Sequence, residues 1–91
     1  MSVTVRIPTQ LRALTGGAGE VAADGSTVGD VLKALDAAHP GMGERLFDEG
    51  GKLRRFVNVF VADEDVRFLD GLGTAVAEDQ TVSIIPAVAG G

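Results

Sequence analysis

Few residues in this chain have the types and spacing that chemistry needs. The sharpest signal is the terminus, Ala87-Val88-Ala89-Gly90-Gly91. A carboxylate that follows two glycines is sterically open to an attacking group, because glycine has no Cβ and adopts conformations other residues avoid. Two glycines also pass through a tunnel too narrow for side chains. At average glycine usage such an ending arises in roughly 0.5% of chains. Even in a chain with 13 glycines the figure is only about 2%, so chance is a poor explanation. Extended, the five residues reach about 17 Å, enough to enter a buried site while the domain docks outside it.

The other candidates are weaker. His39 is the single histidine and stands beside Pro40, with no positioned partner for acid–base work. Asp63-Glu64-Asp65 lacks the spread of ligands and the central glycine of a calcium loop, and reads as a solvated turn. Gly16-Gly17-Ala18-Gly19 lacks the Lys-Ser/Thr ending of a phosphate loop and leads into a strand rather than a helix. With no cysteine in the chain, thiolate metal sites, disulfides and cysteine nucleophiles are excluded. Catalysis by this chain alone is therefore not expected, nor is a metal or cofactor of its own.

The composition sets the frame for that terminus. Ninety-one residues suit one domain, and a hydrophobic share of 45% indicates a folded chain. Only 4% is aromatic, all of it Phe, so Val, Leu, Ile and Ala must fill the core. Eight basic against 13 acidic residues give −5, which argues against a nucleic-acid partner. No apolar run approaches a membrane span, and the start of the chain lacks a signal-peptide pattern. The expectation is a cytoplasmic protein, monomeric when free.

The elements that must position the terminus follow from periodicity. Val3, Val5 and Ile7 alternate with polar residues over 2–8, which predicts a half-buried strand. A glycine-rich reversal at 15–19 leads to a second, antiparallel strand over 20–25. Thr27 with Asp30 three residues later predicts a capped helix start. Val28, Val31, Leu32, Leu35 and Ala38 then form one apolar stripe, and His39-Pro40-Gly41 ends the helix. Residues 41–53 read as irregular, with one helical turn at Arg45-Leu46-Phe47. A central strand is expected over 56–61 with Val57, Val59 and Val61 inward, then a turn at 62–65 and a short strand at Val66-Arg67-Phe68. The last strand, 80–86, turns Val82 and Ile84 inward and can pair parallel to the first. This order is α+β, a β-grasp with one main helix across one face of a mixed sheet. Residues 1–86 form the domain and 87–91 a flexible tail.

The same alternation leaves Phe56, Phe60 and Ile85 on the outer sheet face, around Asn58. Apolar side chains there are candidates for partner docking. Lys52, Arg54 and Arg55 are the one basic cluster, and Arg54 and Arg55 are candidates to pair with an acidic partner surface.

An α+β order, an acidic cysteine-free chain and a Gly-Gly ending together resemble the MoaD/ThiS family of ubiquitin-like sulfur carriers. The resemblance covers the whole chain. It is most detailed at Lys52-Leu53-Arg54-Arg55-Phe56-Val57-Asn58-Val59, at Asp63-Glu64-Asp65-Val66-Arg67-Phe68 and at Ile84-Ile85-Pro86-Ala87-Val88-Ala89-Gly90-Gly91, which look like the CysO-type carriers of actinobacterial cysteine biosynthesis. The resemblance implies a co-substrate rather than an enzyme. An E1-like adenylyltransferase of the MoeB/ThiF type would use Mg-ATP to adenylate the carboxylate of Gly91. A sulfurtransferase or rhodanese-like donor would convert it to a thiocarboxylate, with Val88, Ala89 and Gly90 giving the tail its access. A PLP-dependent cysteine synthase or another thio-acceptor synthase would take the sulfur, and a zinc-dependent JAMM-type metallopeptidase would release the product. Two other outcomes share the adenylated Gly91: a MoaD-like small subunit of molybdopterin synthase, and a protein modifier joined to lysines.

Overall fold

The last strand of the chain is the middle strand of the sheet. The computed structural model describes residues 2–55 and 57–86. In it, β1 (Ser2–Arg6), β2 (Glu20–Asp24), β3 (Val57–Val61), β4 (Glu64–Asp65) and β5 (Thr81–Pro86) lie in the order β2-β1-β5-β3-β4. β5 pairs parallel to β1 and antiparallel to β3, and the two hairpins β1-β2 and β3-β4 are antiparallel. This mixed sheet with a main helix on one face is the expected β-grasp.

The period-2 pattern places the core. Val3, Val5, Ile7, Val57, Val59, Val61, Val82 and Ile84 are all buried, while Ser2, Thr4 and Arg6 face water. Helix α1 (Val28–Ala38) closes that face with Val28, Val31, Leu32 and Leu35. Its start is capped as the sequence predicts: the Asp30 amide donates to Thr27 Oγ1 at 3.2 Å, satisfying a donor that has no partner within the helix. Ala38, however, is exposed. At 3.6 residues per turn it lies about 80° round the axis from Val28, at the margin of the stripe.

Three further stretches differ from the sequence reading. A 3-10 helix at Thr9–Thr15 occupies residues to which the pattern gave no element, and Leu11 ties it to the core. Helix α2 (Met42–Leu46) begins earlier than the expected turn and buries Met42 and Leu46. Its entry is capped from outside, since the Gly43 amide donates to Asp36 Oδ1 at 2.7 Å. The third is the expected strand at 66–68, which is a 3-10 turn instead. Asp65 Oδ1 accepts from the Arg67 amide at 2.9 Å, an Asx-type bond that competes with strand pairing. The acidic run itself divides: Ala62 and Asp63 make the hairpin turn, and Glu64 and Asp65 pair with Val61 and Phe60. Phe56, expected to open the central strand, and the tail at 87–91 lie outside the described residues.

The β3-β4 turn carries local strain. Ala62 and Asp63 both have positive φ, 51° and 71°, as a two-residue type I′ hairpin loop requires. Alanine there costs roughly 1–2 kcal/mol against glycine, whereas aspartate, like asparagine, tolerates the left-handed region. Replacing the pair with Asn-Gly (Ala62→Asn with Asp63→Gly) should raise unfolding stability by about 1 kcal/mol, read as a higher urea midpoint at an unchanged slope.

Candidate functional site

The last residues of β5 are paired on one side only. β1 pairs with β5 from Thr4↔Thr81 to Arg6↔Ser83, whereas β3 follows β5 as far as Val57↔Pro86. The Ile7 amide donates to the Gly19 carbonyl at 2.8 Å, which continues the β1-β2 side of the sheet, and the Ile7 carbonyl accepts from Arg12 Nε at 3.1 Å. The next residue to face β5 is Pro8, which has no N–H to offer, so the parallel ladder stops there. The result is an open groove of about 800 Å³ beside Ser83, Ile84 and Ile85, walled by Arg6, Pro8 and Arg12. Pro86, also without an N–H, belongs by register to the side of β5 that faces β1 and can offer β1 no donor either.

The outer sheet face carries the sequence-predicted docking residues that the structure describes. Ile85 is 49% exposed and stands opposite Asn58. Phe60, half-buried, lies between Ser83 on β5 and Asp65 on β4. Arg54 and Arg55 are exposed just before β3, and Arg54 Nε donates to the Glu44 carbonyl at 2.9 Å, which holds the approach to β3 against α2. Phe56, Val88, Ala89, Gly90 and Gly91 lie outside the described residues. His39 is the C-terminal cap residue of α1, an element on the opposite face from Ile85. Among the described residues, no group of three or more His, Asp or Glu side chains is placed to hold a metal ion, and no helix is long and apolar enough to cross a membrane.

Sequence reasoning missed Arg67. Its guanidinium donates to Asn58 Oδ1, to the Val57 carbonyl at 2.8 Å and to the Arg54 carbonyl at 2.9 Å. It therefore pins the start of β3, the segment opposite Ile85 and Pro86. The signal was present in the numbering: a hairpin turning at 62–63 sets residue 58 opposite 67, on the face of Phe60 and Asp65. The groove residues Arg6, Pro8 and Arg12 were missed as well, since only the point at which β1 stops pairing with β5 opens that wall. Phe68, read as part of a strand, is instead 87% exposed.

The family model that matches this chain, described as the ThiS family, covers residues 5–91. The chain belongs to the ThiS family. It is 56% identical over 93 residues to the sulfur carrier protein CysO of Mycobacterium tuberculosis, with the whole of both chains covered. The crystal structure of the Amycolatopsis orientalis BexX/CysO complex superposes with a TM-score of 0.92 at 50% identity, covering 98% of this chain and 99% of that one. The small archaeal modifier protein 3 of Haloferax volcanii is 43% identical over 68 residues, covering 75% of this chain and 73% of its own. The chain is a CysO-type sulfur carrier, a co-substrate rather than a catalyst.

Removing the Arg67 clamp should loosen the tail root measurably. Arg67→Ala should lower unfolding stability by about 1–2 kcal/mol, as expected for lost hydrogen bonds to a charged donor. In amide NMR spectra its largest shifts should fall at Val57, Asn58 and Ile85, whereas shifts confined to 66–70 would count against the clamp.

Proposed function

We propose that the carboxylate of Gly91 is the group on which partner enzymes act, passing from carboxylate to acyl-adenylate to thiocarboxylate. The observation that carries this reading is the full-length similarity to the sulfur carrier protein CysO, in a family match that runs through Gly91. A carboxylate is a poor electrophile until one oxygen becomes part of a leaving group. An E1-like adenylyltransferase with Mg-ATP would join that oxygen to the α-phosphate and release pyrophosphate. The terminal sulfur of a persulfide on a sulfurtransferase or rhodanese-like donor would then attack the carbonyl carbon, and AMP would leave with the oxygen. A second thiol would attack the donor sulfur of the resulting acyl disulfide, leaving as a disulfide and freeing the thiocarboxylate; free sulfide would give the thiocarboxylate directly. The product, –COS⁻, is a soft nucleophile that stays ionised near neutral pH, as low-pKa thiolates do.

Val88, Ala89 and Gly90 serve this chemistry by being narrow. Ile85 and Phe60 on the outer face, with Arg54 and Arg55 at its margin and Phe56 as the alternation of the sequence expects, form the surface that a partner grips while the tail enters its site. A relative crystallised in complex with BexX supports such engagement with a protein partner. The acceptor in this reading is a PLP-dependent cysteine synthase or another thio-acceptor synthase, with a zinc JAMM-type metallopeptidase freeing the product. PLP, zinc and ATP belong to those partners, and the steps take place in the cytoplasm, where ATP and reduced sulfur meet.

A second reading has one observation in its favour, the similarity to a small archaeal modifier protein. There the same adenylate would be taken by a lysine amine, giving an isopeptide bond instead of –COS⁻.

ATP–pyrophosphate exchange with the E1-like enzyme tests the shared first step. Gly90→Leu and a chain lacking Gly91 should both lose exchange at least 100-fold while melting like the parent, since 1.4 kcal/mol per tenfold makes even a modest misplacement costly. Exchange at the parental rate in either variant would remove the tail from the reaction. Sulfide then separates the two readings: a thiocarboxylate on the free chain supports the carrier, and a lysine-linked conjugate the modifier.

A further inference from the structure

The most exposed apolar side chain described in this protein is not on the sheet. Phe68 is 87% exposed and its neighbour Leu69 41% exposed. A phenylalanine left in water forgoes the burial that other large apolar side chains obtain. Here it is also held out rigidly. Val66, two residues before it, is completely buried and anchors the turn. The Leu69 amide donates to the Val66 carbonyl at 2.9 Å, and the Asp70 amide donates to Thr74 Oγ1 at 3.1 Å. On the other flank, Arg67 is bonded at both ends, its amide to Asp65 and its guanidinium to Asn58, Val57 and Arg54. An aromatic group displayed on a fixed turn loses little conformational freedom when it docks, which is the economy expected of an interface anchor.

Its surroundings indicate what it docks into. Asn58, which holds Arg67, faces Ile85 across the sheet. Phe68 follows Arg67 directly in the chain, and Arg67 reaches Asn58, the register partner of Ile85. Lys52, Arg54, Arg55 and Arg67, half of the eight basic residues of an acidic chain, are exposed, and Arg67 bonds the Arg54 carbonyl just before β3. Asp70 is the acid that follows directly after Leu69.

We propose that Phe68, supported by Leu69, is a second docking anchor, inserted into an apolar pocket with an acidic rim on the E1-like enzyme that adenylates Gly91. The inference rests on the carrier reading for its choice of partner. Phe68 fixes where the domain sits, Lys52, Arg54 and Arg55 match the rim, and the tail is thereby aimed at the nucleotide. Two separated contacts define an orientation that a tail alone cannot.

The test uses the full-length chain and the E1-like adenylyltransferase, with affinity from calorimetry and loading from intact mass. Phe68→Ser should weaken Kd at least tenfold and raise the KM for the chain by a similar factor with kcat kept, while the melting midpoint stays at the parental value. Phe68→Met should recover most of the affinity. Arg55→Glu should slow association and flatten its dependence on salt, as expected when complementary charges steer the encounter. Unchanged Kd and KM in Phe68→Ser would overturn the anchor, as would a parent chain that does not bind. A parent that binds but is never loaded would count against the carrier reading, and the Kd comparison would still decide the role of Phe68.

Discussion

The organisation of this protein depends on where β1 stops covering β5. Pairing ends at Arg6↔Ser83, because Pro8, the next residue whose N–H would point at β5, has none, while Arg12 holds the Ile7 carbonyl on the other side. Had β1 continued, Ile84 and Ile85 would be enclosed by two neighbours to the end of the strand, and the chain would emerge from a closed sheet. Instead the last residues of β5 are held by β3 alone and leave beside an open groove. The proposed chemistry at the terminus would use that combination of a firmly held root and a free flank.

The firm side is built by β3. Arg67 reaches back across the hairpin to bond three acceptors near the start of that strand, and Arg54 links the same region to α2 through Glu44. These are exposed, charge-assisted bonds of modest individual strength. Their value is geometric, because they fix the strand against which Ile85 and Pro86 lie. Beneath them the apolar stripe of α1 packs on alternating valines from β1, β3 and β5, so the root of the tail rests on a closely packed core. In the proposed chemistry, rigid domain and terminal carboxylate would divide the work: the domain recognised, the carboxylate reacting.

Much of this was legible in the sequence, for physical reasons. Val3-Val5-Ile7 and Val57-Val59-Val61 alternate because one face of each strand is buried, and that period is local information. Thr27 with Asp30 marks a helix start because the cap is made within one turn of chain. The features that escaped depend on choices between competing partners. The 3-10 turn at 66–68 hinges on a single carboxylate, Asp65, bonding forward to the Arg67 amide rather than leaving it for a strand. The 3-10 helix at 9–15 has no periodic signature, since one buried leucine and one buried threonine hold it. The groove follows from the register of two strands remote in sequence, β1 and β5. The resemblance at 52–59 and 84–91 supplied the chemistry of the terminus, which neither composition nor periodicity could name, and the family match agrees with it.

The central claim, that sulfur is carried at the C-terminal carboxylate, is tested most directly by top-down mass spectrometry of the chain after incubation with its E1-like enzyme, Mg-ATP and a sulfide source. The account predicts a gain equal to the replacement of one oxygen by one sulfur, retained in every fragment that contains Gly91 and absent from every fragment that lacks it. A gain located elsewhere in the chain, or an unchanged mass with an enzyme proven active on another carrier, would contradict it.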